Sequence, residues 1–356
     1  MGLFDDMLKS GESLIKNEIA LDFEFIPKLL PYRESQQRYI AQCIKPLLLG
    51  HNGRNLFVFG TSGIGKTAAV KWVFRDLEDQ TDEIMPLYVN CWQKNTTYKV
   101  ALELCDLIGY RFTQNKKTDE LFKIIKGIIN KKSAVFCFDE ADKLEDFDFL
   151  YTLLEDIYKR SIILVTNHKE WLSGMDQRIK SRLTPDTLEF AQYNLQETAG
   201  ILKERMKYAF VDDIWSADAV ELVVAKAFEK KDIRTGLYLM RQSAIFAEER
   251  SSKKIAVEDA KSALSKLTDF TIKKSSDLDE DTRLVLSIAK DHSGKRIGEL
   301  YNVYKQKDGK NTYKTFQRKI DTLEKNKFIS VKKISGGAEG STTIVSYNKE
   351  KKLTDF

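Results

Sequence analysis

Several residue types are scarce in this chain, and each shortage excludes a class of protein. There are only four cysteines in 356 residues, Cys43, Cys91, Cys105 and Cys137, and no two form a C-x-x-C pair. That pattern argues against zinc ribbons and disulfide scaffolds. Two of the four lie inside apolar strand-like runs, so buried, reduced thiols in a cytoplasmic protein are expected. Proline numbers five and is absent after Pro185. No apolar stretch approaches the length needed to span a membrane. The opening Met1-Gly-Leu-Phe-Asp-Asp lacks the apolar core of a signal peptide, and Asp6 breaks the myristoylation pattern, so no membrane partner is expected. There is no internal repeat and no low-complexity tract.

Hydrophobic residues at 42% and charged residues at 31% describe a soluble globular protein, and the length calls for two or three domains. The formal charge of +5 is unevenly placed. Residues 290–333 hold thirteen Lys/Arg against five Asp/Glu, while the rest of the chain is slightly acidic. A local excess of this kind points to a polyanion. Double-stranded DNA is expected before a membrane surface, because no amphipathic anchor accompanies the charge, and a merely solvated basic face is the alternative.

The most informative stretch is Asn55 to Thr67. Leu56 to Phe59 are apolar and strand-favouring, and Gly60, Gly65, Lys66 and Thr67 then fill the spacing G-x-x-x-x-G-K-[ST] ahead of a helical pattern from Ala68 to Leu77. Glycine lets successive backbone N–H groups turn toward phosphate oxygens, so Gly60, Gly63, Ile64 and Gly65 read as a cradle. The following helix adds the positive end of its dipole. Lys66 is expected to neutralise the β- and γ-phosphates, and Thr67 to ligate Mg²⁺, which needs few protein ligands. ATP or ADP with Mg²⁺ is therefore the expected cofactor.

A second apolar run, Ala134 to Phe138, ends in Asp139 and Glu140. Ligands gather at the carboxyl edge of a parallel sheet. Asp139 is expected to hold Mg²⁺, and Glu140 to orient the water that attacks the γ-phosphate. Asn167, at the end of the run Ile162 to Thr166, is an amide placed to sense that phosphate. Apolar runs at Pro86 to Cys91, Ser161 to Thr166 and Thr187 to Phe190 complete an α/β reading with a mostly parallel sheet.

The remaining chain divides by pattern. Residues 1–26 read as an arm without a core of its own, and 27–192 as the nucleotide-binding α/β domain. The amphipathic segments Leu195 to Met206, Ala217 to Glu229, Ile233 to Arg250 and Val257 to Leu267 suggest a helical subdomain over 193–272, with Lys273-Lys-Ser-Ser as a linker. Within 277–356, helical patterns at 281–290, 297–305 and 312–325 precede two strand-like runs around the turn Ser335-Gly-Gly-Ala-Glu-Gly. This is the order of a winged helix-turn-helix. In the third helix Phe316, Ile320 and Leu323 share one face, leaving Lys314, Arg318 and Lys325 to enter the major groove, with Lys332 and Lys333 along the backbone. Protein docking is the alternative use of such a module.

These motifs together resemble AAA+ ATPases of the archaeal replication-initiator type, similar to the origin-recognition-complex and cell-division-cycle loader proteins. The resemblance covers essentially the whole chain. It rests on Gly60 to Thr67, Phe136 to Glu140, Asn167, Arg178-Ile-Lys-Ser-Arg-Leu and Asp232-Ile-Arg. It implies a P-loop AAA+ core with a parallel sheet, a helical lid and a C-terminal winged helix. It further implies that Asn95 to Tyr110 is an extra helical insertion touching DNA, and that Tyr193 and Arg205 contact nucleotide. By the same resemblance Arg182, ahead of Arg178, acts on a neighbouring subunit's nucleotide, and Arg234 reaches the γ-phosphate in cis. One departure is Lys231, where the family usually has glycine. The implied function is an ATP-switched, slowly hydrolysing initiator. It would recognise replication origins, self-assemble on DNA and help place the replicative helicase, MCM. A DNA-binding regulator with permanently bound ADP, and an AAA+ remodelling or transposition-helper ATPase, are the competing readings.

Overall fold

The computed structural model describes residues 13–276, 280–307, 309, 311–325, 329–334 and 342–347. The chain separates into two compact units between Ala263 and Leu264.

The first unit is built on a five-stranded, wholly parallel sheet. The strands are β1 (Leu56–Phe59), β2 (Ile84–Asn90), β3 (Ser133–Asp139), β4 (Arg160–Thr166) and β5 (Asp186–Glu189). Their spatial order is β2-β3-β4-β1-β5. Every residue of β1 and β3 is buried, which explains why these strands read as continuous apolar runs rather than alternating ones. Helices α1 (Glu34–Ile44) and α2 (Lys66–Gln80) cover one face, around Ile40, Val58, Val70 and Val165. Helices α3 (Thr97–Leu107), α4 (Thr118–Ile129), α5 (Asp148–Asp156) and α6 (Gln177–Leu183) cover the other, around Leu104, Ile125, Phe136 and Phe149. The expected strands thus lie within two residues of their places. Helix α1 stops at Ile44 and the chain tightens into a 3-10 turn over Lys45–Leu49, because Pro46 cannot supply an amide to the α-helical ladder.

Four further helices form the lid: α7 (Leu195–Ala209), α8 (Ala217–Lys230), α9 (Ile233–Glu249) and α10 (Val257–Ser276). Their starts are capped locally. Asn194 and Glu197 form a reciprocal capping box at α7, and Ser216 and Asp232 cap α8 and α9. Lys231 has φ +54°, a left-handed backbone that glycine would adopt without strain. Residues 14–21 pack on these helices. Lys16 and Asn17 N–H donate to the Ala209 carbonyl, Leu14 N–H donates to Glu248, and Leu14, Ala20 and Leu21 are buried. Lys273 to Ser276, read from sequence as a linker, are the last turn of α10.

In the second unit α11 (Glu280–Asp291), α12 (Ile297–Gln306) and α13 (Tyr313–Lys325) pack with β6 (Lys295–Arg296), β7 (Ile329–Ile334) and β8 (Thr342–Tyr347). The three strands form an antiparallel sheet in the order β6-β8-β7. The helix-helix-helix-hairpin order is as expected, and the two-residue strand β6 is an addition to it. The glycine turn and the side chains of Lys325 and Lys333 lie outside the described residues.

Candidate functional site

The carboxyl ends of β1, β3 and β4 converge on one cleft of about 310 Å³. Between β1 and α2 the chain turns through two left-handed glycines, Gly63 at φ +77° and Gly65 at φ +88°. A Cβ on Gly63 would lie 2.1 Å from Asp232 Oδ1, and one on Gly65 would lie 2.9 Å from the Tyr193 hydroxyl, so neither position admits a larger residue without displacement. Lys66, the first residue of α2, is only 7% exposed. Its ammonium donates to the Gly60 carbonyl at 2.9 Å, the Thr61 carbonyl at 2.8 Å and Asn167 Oδ1 at 2.8 Å. Burial lowers its pKa, and Glu140 followed by Asp139 opposes that shift.

The acidic side is as tightly organised. Thr67 Oγ1 donates to Asp139 Oδ2 at 2.5 Å, and Asn167 Nδ2 donates to Glu140 Oε2 at 3.0 Å. Lys66, Asn167 and Glu140 are thus one hydrogen-bonded chain. Glu140 holds φ +54°, a backbone that costs a non-glycine residue about 1 kcal/mol or more and that turns its carboxylate back into the cleft. Burial, then Asp139, then Asp142 raise the Glu140 pKa, which makes it a better proton acceptor than an ordinary glutamate. Among the described residues no group of three His, Cys, Asp or Glu side chains forms a metal cage. One hydroxyl and one carboxylate, both hard oxygen donors, suit Mg²⁺, which takes most of its ligands from water and phosphate.

The lid forms the roof. Arg234 is bound to Asp232 at 2.7 Å and to Ser62 Oγ at 2.8 Å, beside the cradle, while Ile233 N–H points at the Gly63 carbonyl at 3.4 Å. Tyr193 lines the cleft. Arg205 also lines it, but its guanidinium donates to the carbonyls of Ala20 at 3.1 Å and Phe25 at 2.7 Å, so it fastens the arm over the cleft. Burial pulls its pKa down to about 10, still charged at neutral pH. Arg33 has a role that sequence reasoning missed. Buried at 4% exposure, it donates to the carbonyls of Ile64 and Ala191 and lies 3.9 Å over the Tyr193 ring, tying P-loop to lid hinge. Nothing local in Pro31-Tyr-Arg-Glu-Ser marks it.

Arg178 and Arg182 do not line the cleft. Arg182 pairs with Glu155 and stacks over Tyr151 with its guanidinium 4.9 Å from the ring centre, half-exposed on α6, and Arg178 pairs with Asp176 at 3.3 Å. The expected insertion is α3 with its flanks. Val100, Ala101, Leu104 and Cys105 are buried in the α/β core, whereas Trp92, Tyr98 and Phe112 are exposed. In the second unit Phe316, Ile320 and Leu323 are buried, and Lys314, Arg318 and Lys332 are exposed.

An AAA domain model matches residues 50–171, and a Cdc6 AAA+ ATPase-type lid domain model matches residues 199–265. The chain is 32% identical over 330 residues to ORC1-type DNA replication protein 1 of Archaeoglobus fulgidus, covering 87% of this chain and 80% of that one. It is 29% identical over 377 residues to ORC1-type DNA replication protein 1 of Methanothermobacter thermautotrophicus, covering 100% and 98%. The solved structure of the Aeropyrum pernix ORC1 protein in complex with DNA matches with a TM-score of 0.79 at 26% identity, over 95% of each chain.

Proposed function

The chain belongs to the ORC1-type DNA replication proteins, and from that premise we propose that it is a nucleotide-switched initiator that binds replication origins and helps place the replicative helicase. The observation that carries the switch is the chain from buried Lys66 through Asn167 to Glu140, which joins the phosphate-binding and water-activating ends of one cleft. Lys66 and the cradle amides receive the β- and γ-phosphates. Glu140 orients the attacking water and accepts its proton, while Asn167 fixes both residues. Thr67 and Asp139 would hold magnesium, which would supply charge neutralisation on the phosphates. Arg182 of a neighbouring copy is the group that would complete the site, so hydrolysis by the isolated chain is slow. The lid rests on the cradle through Asp232 and Arg234, so the phosphate that occupies the cradle also sets the lid.

DNA binding is supported by the basic exposed face of α13 and by the DNA complex of the Aeropyrum relative. An intact water-activating pair also favours a hydrolysing switch over a regulator holding ADP permanently. Two substitutions test the cleft. Lys66→Ala should abolish ATP binding, whereas Glu140→Gln should retain ATP and lose hydrolysis. Equal ATP affinity in the wild type and Lys66→Ala overturns the cradle assignment. Chromatin footprinting of the same two variants in the native cell tests the origin reading: failure of both to alter occupancy at any discrete locus overturns it.

A further inference from the structure

Asp139 is held by a third element besides α2 and its own strand. Tyr88 stands on β2, in register with Cys137 of β3, and its hydroxyl donates to Asp139 Oδ2 at 2.7 Å. The same oxygen accepts Thr67 Oγ1, and Oδ1 accepts the Glu140 N–H at 2.9 Å. A carboxylate offers about four acceptor positions. Three are therefore taken, by donors from β2, from α2 and from the turn after β3, and together they fix the plane of the group.

We propose that Tyr88 is a positioning residue for magnesium: its hydroxyl orients the Asp139 carboxylate so that the metal and the nucleotide bind together. The inference rests on the nucleotide reading above. Without the hydroxyl, Oδ2 keeps only Thr67, and that side chain must serve the metal with its oxygen while its proton holds the carboxylate. The carboxylate would then keep only two bonds, from Thr67 to Oδ2 and from the Glu140 N–H to Oδ1, and would be held less firmly about its last torsion. The ring itself is fixed independently, packed against the α2 side of the sheet with the Lys71 ammonium 4.6 Å from its centre. A ring that only filled space would be served as well by phenylalanine, and a phenol hydroxyl taken out of water is costly unless it has a partner.

The test uses Tyr88→Phe in the full chain, which removes one oxygen and keeps the packing. A fluorescent ATP analogue is titrated in EDTA and at a series of Mg²⁺ concentrations, with apo thermal unfolding as the control for folding. The affinity in EDTA should stay within about twofold of wild type, while the Mg²⁺ concentration giving half-maximal tightening should rise about tenfold, the low end of the loss found when an outer partner of a metal ligand is removed. A merely structural role would weaken binding equally with and without metal, and that result overturns the proposal. An unchanged Mg²⁺ midpoint overturns it too, leaving the nucleotide reading intact. If the wild type itself shows no Mg²⁺-dependent nucleotide binding, both fall together.

Discussion

Gly63 is one of the points at which the P-loop touches the lid, and Gly63→Ala would report the strength of that contact. The residue has φ +77°, and an added Cβ would lie 2.1 Å from Asp232 Oδ1 and 2.3 Å from its Cγ, far inside van der Waals contact. Either the loop or Asp232 must move. Asp232 accepts the Arg234 N–H at 2.9 Å as the cap of α9, and its carboxylate pairs with the Arg234 guanidinium at 2.7 Å. Displacing it removes a helix cap worth about 1 kcal/mol and a half-exposed ion pair worth about 1 kcal/mol or less. A left-handed alanine costs about 1–2 kcal/mol by itself. The single substitution should therefore destabilise the first unit by about 3 kcal/mol, a large effect for one methyl group. In an Asp232→Ala background the cap, the ion pair and the clashing oxygens are already gone, and Gly63→Ala should cost only about 1–2 kcal/mol of backbone strain. Denaturant unfolding of the wild type, the two single variants and the double variant measures the difference. Equal costs in the two backgrounds would refute the contact between cradle and lid.

Arg182→Ala should leave ATP affinity of the isolated chain intact and lower hydrolysis only where copies or partners assemble; a rate independent of protein concentration and unchanged by the substitution removes Arg182 from any action in trans. Replacing Lys314 and Arg318 together by Ala should change thermal stability by no more than about 0.5 kcal/mol each, because both lie opposite the buried face of α13. DNA affinity should fall, and the slope of log affinity against log salt should shrink by roughly 0.9 for each phosphate that is no longer neutralised. Unchanged affinity and slope on specific and random duplexes would assign this unit to protein docking instead.

The parts of the molecule that were legible in the sequence are those governed by local rules. β1 and β3 are buried on both faces, so they appear as unbroken apolar runs, and the cradle demands glycine and lysine at fixed spacing. The lid helices carry their own caps at Asn194, Ser216 and Asp232. Tyr88 was not legible, because a tyrosine in a strand is ordinary and its partner Asp139 lies 51 residues away. Lys273 to Ser276 misled in the other direction. Their polar composition suits a linker, yet lysine and serine also sustain the last turn of a long helix.

The stretch from Ala20 to Lys28 has a course fixed by bonds that its own sequence does not announce. Arg205 donates to the carbonyls of Ala20 and Phe25, Arg75 to those of Ile26 and Pro27, and Trp72 to that of Lys28. Each bond joins a side chain of α2 or α7 to a backbone carbonyl of the arm. A carbonyl is present whatever residue occupies the position, so these bonds leave no mark in the side chains of the stretch that accepts them. The information lies in the donors instead, and they are about 44 to 185 residues away in sequence, beyond the reach of periodicity or spacing. The arrangement also has a functional consequence. Phe23, Glu24, Pro27, Leu29, Leu30 and Pro31 line the same cleft as Lys66 and Arg234, so this part of its lining is held by the helix that starts in the cradle and by a helix of the lid. A displacement of the lid relative to α2 must stretch or break those carbonyl bonds. Through them the stretch from Ala20 to Lys28 is tied at once to the helix that starts in the cradle and to a helix of the lid.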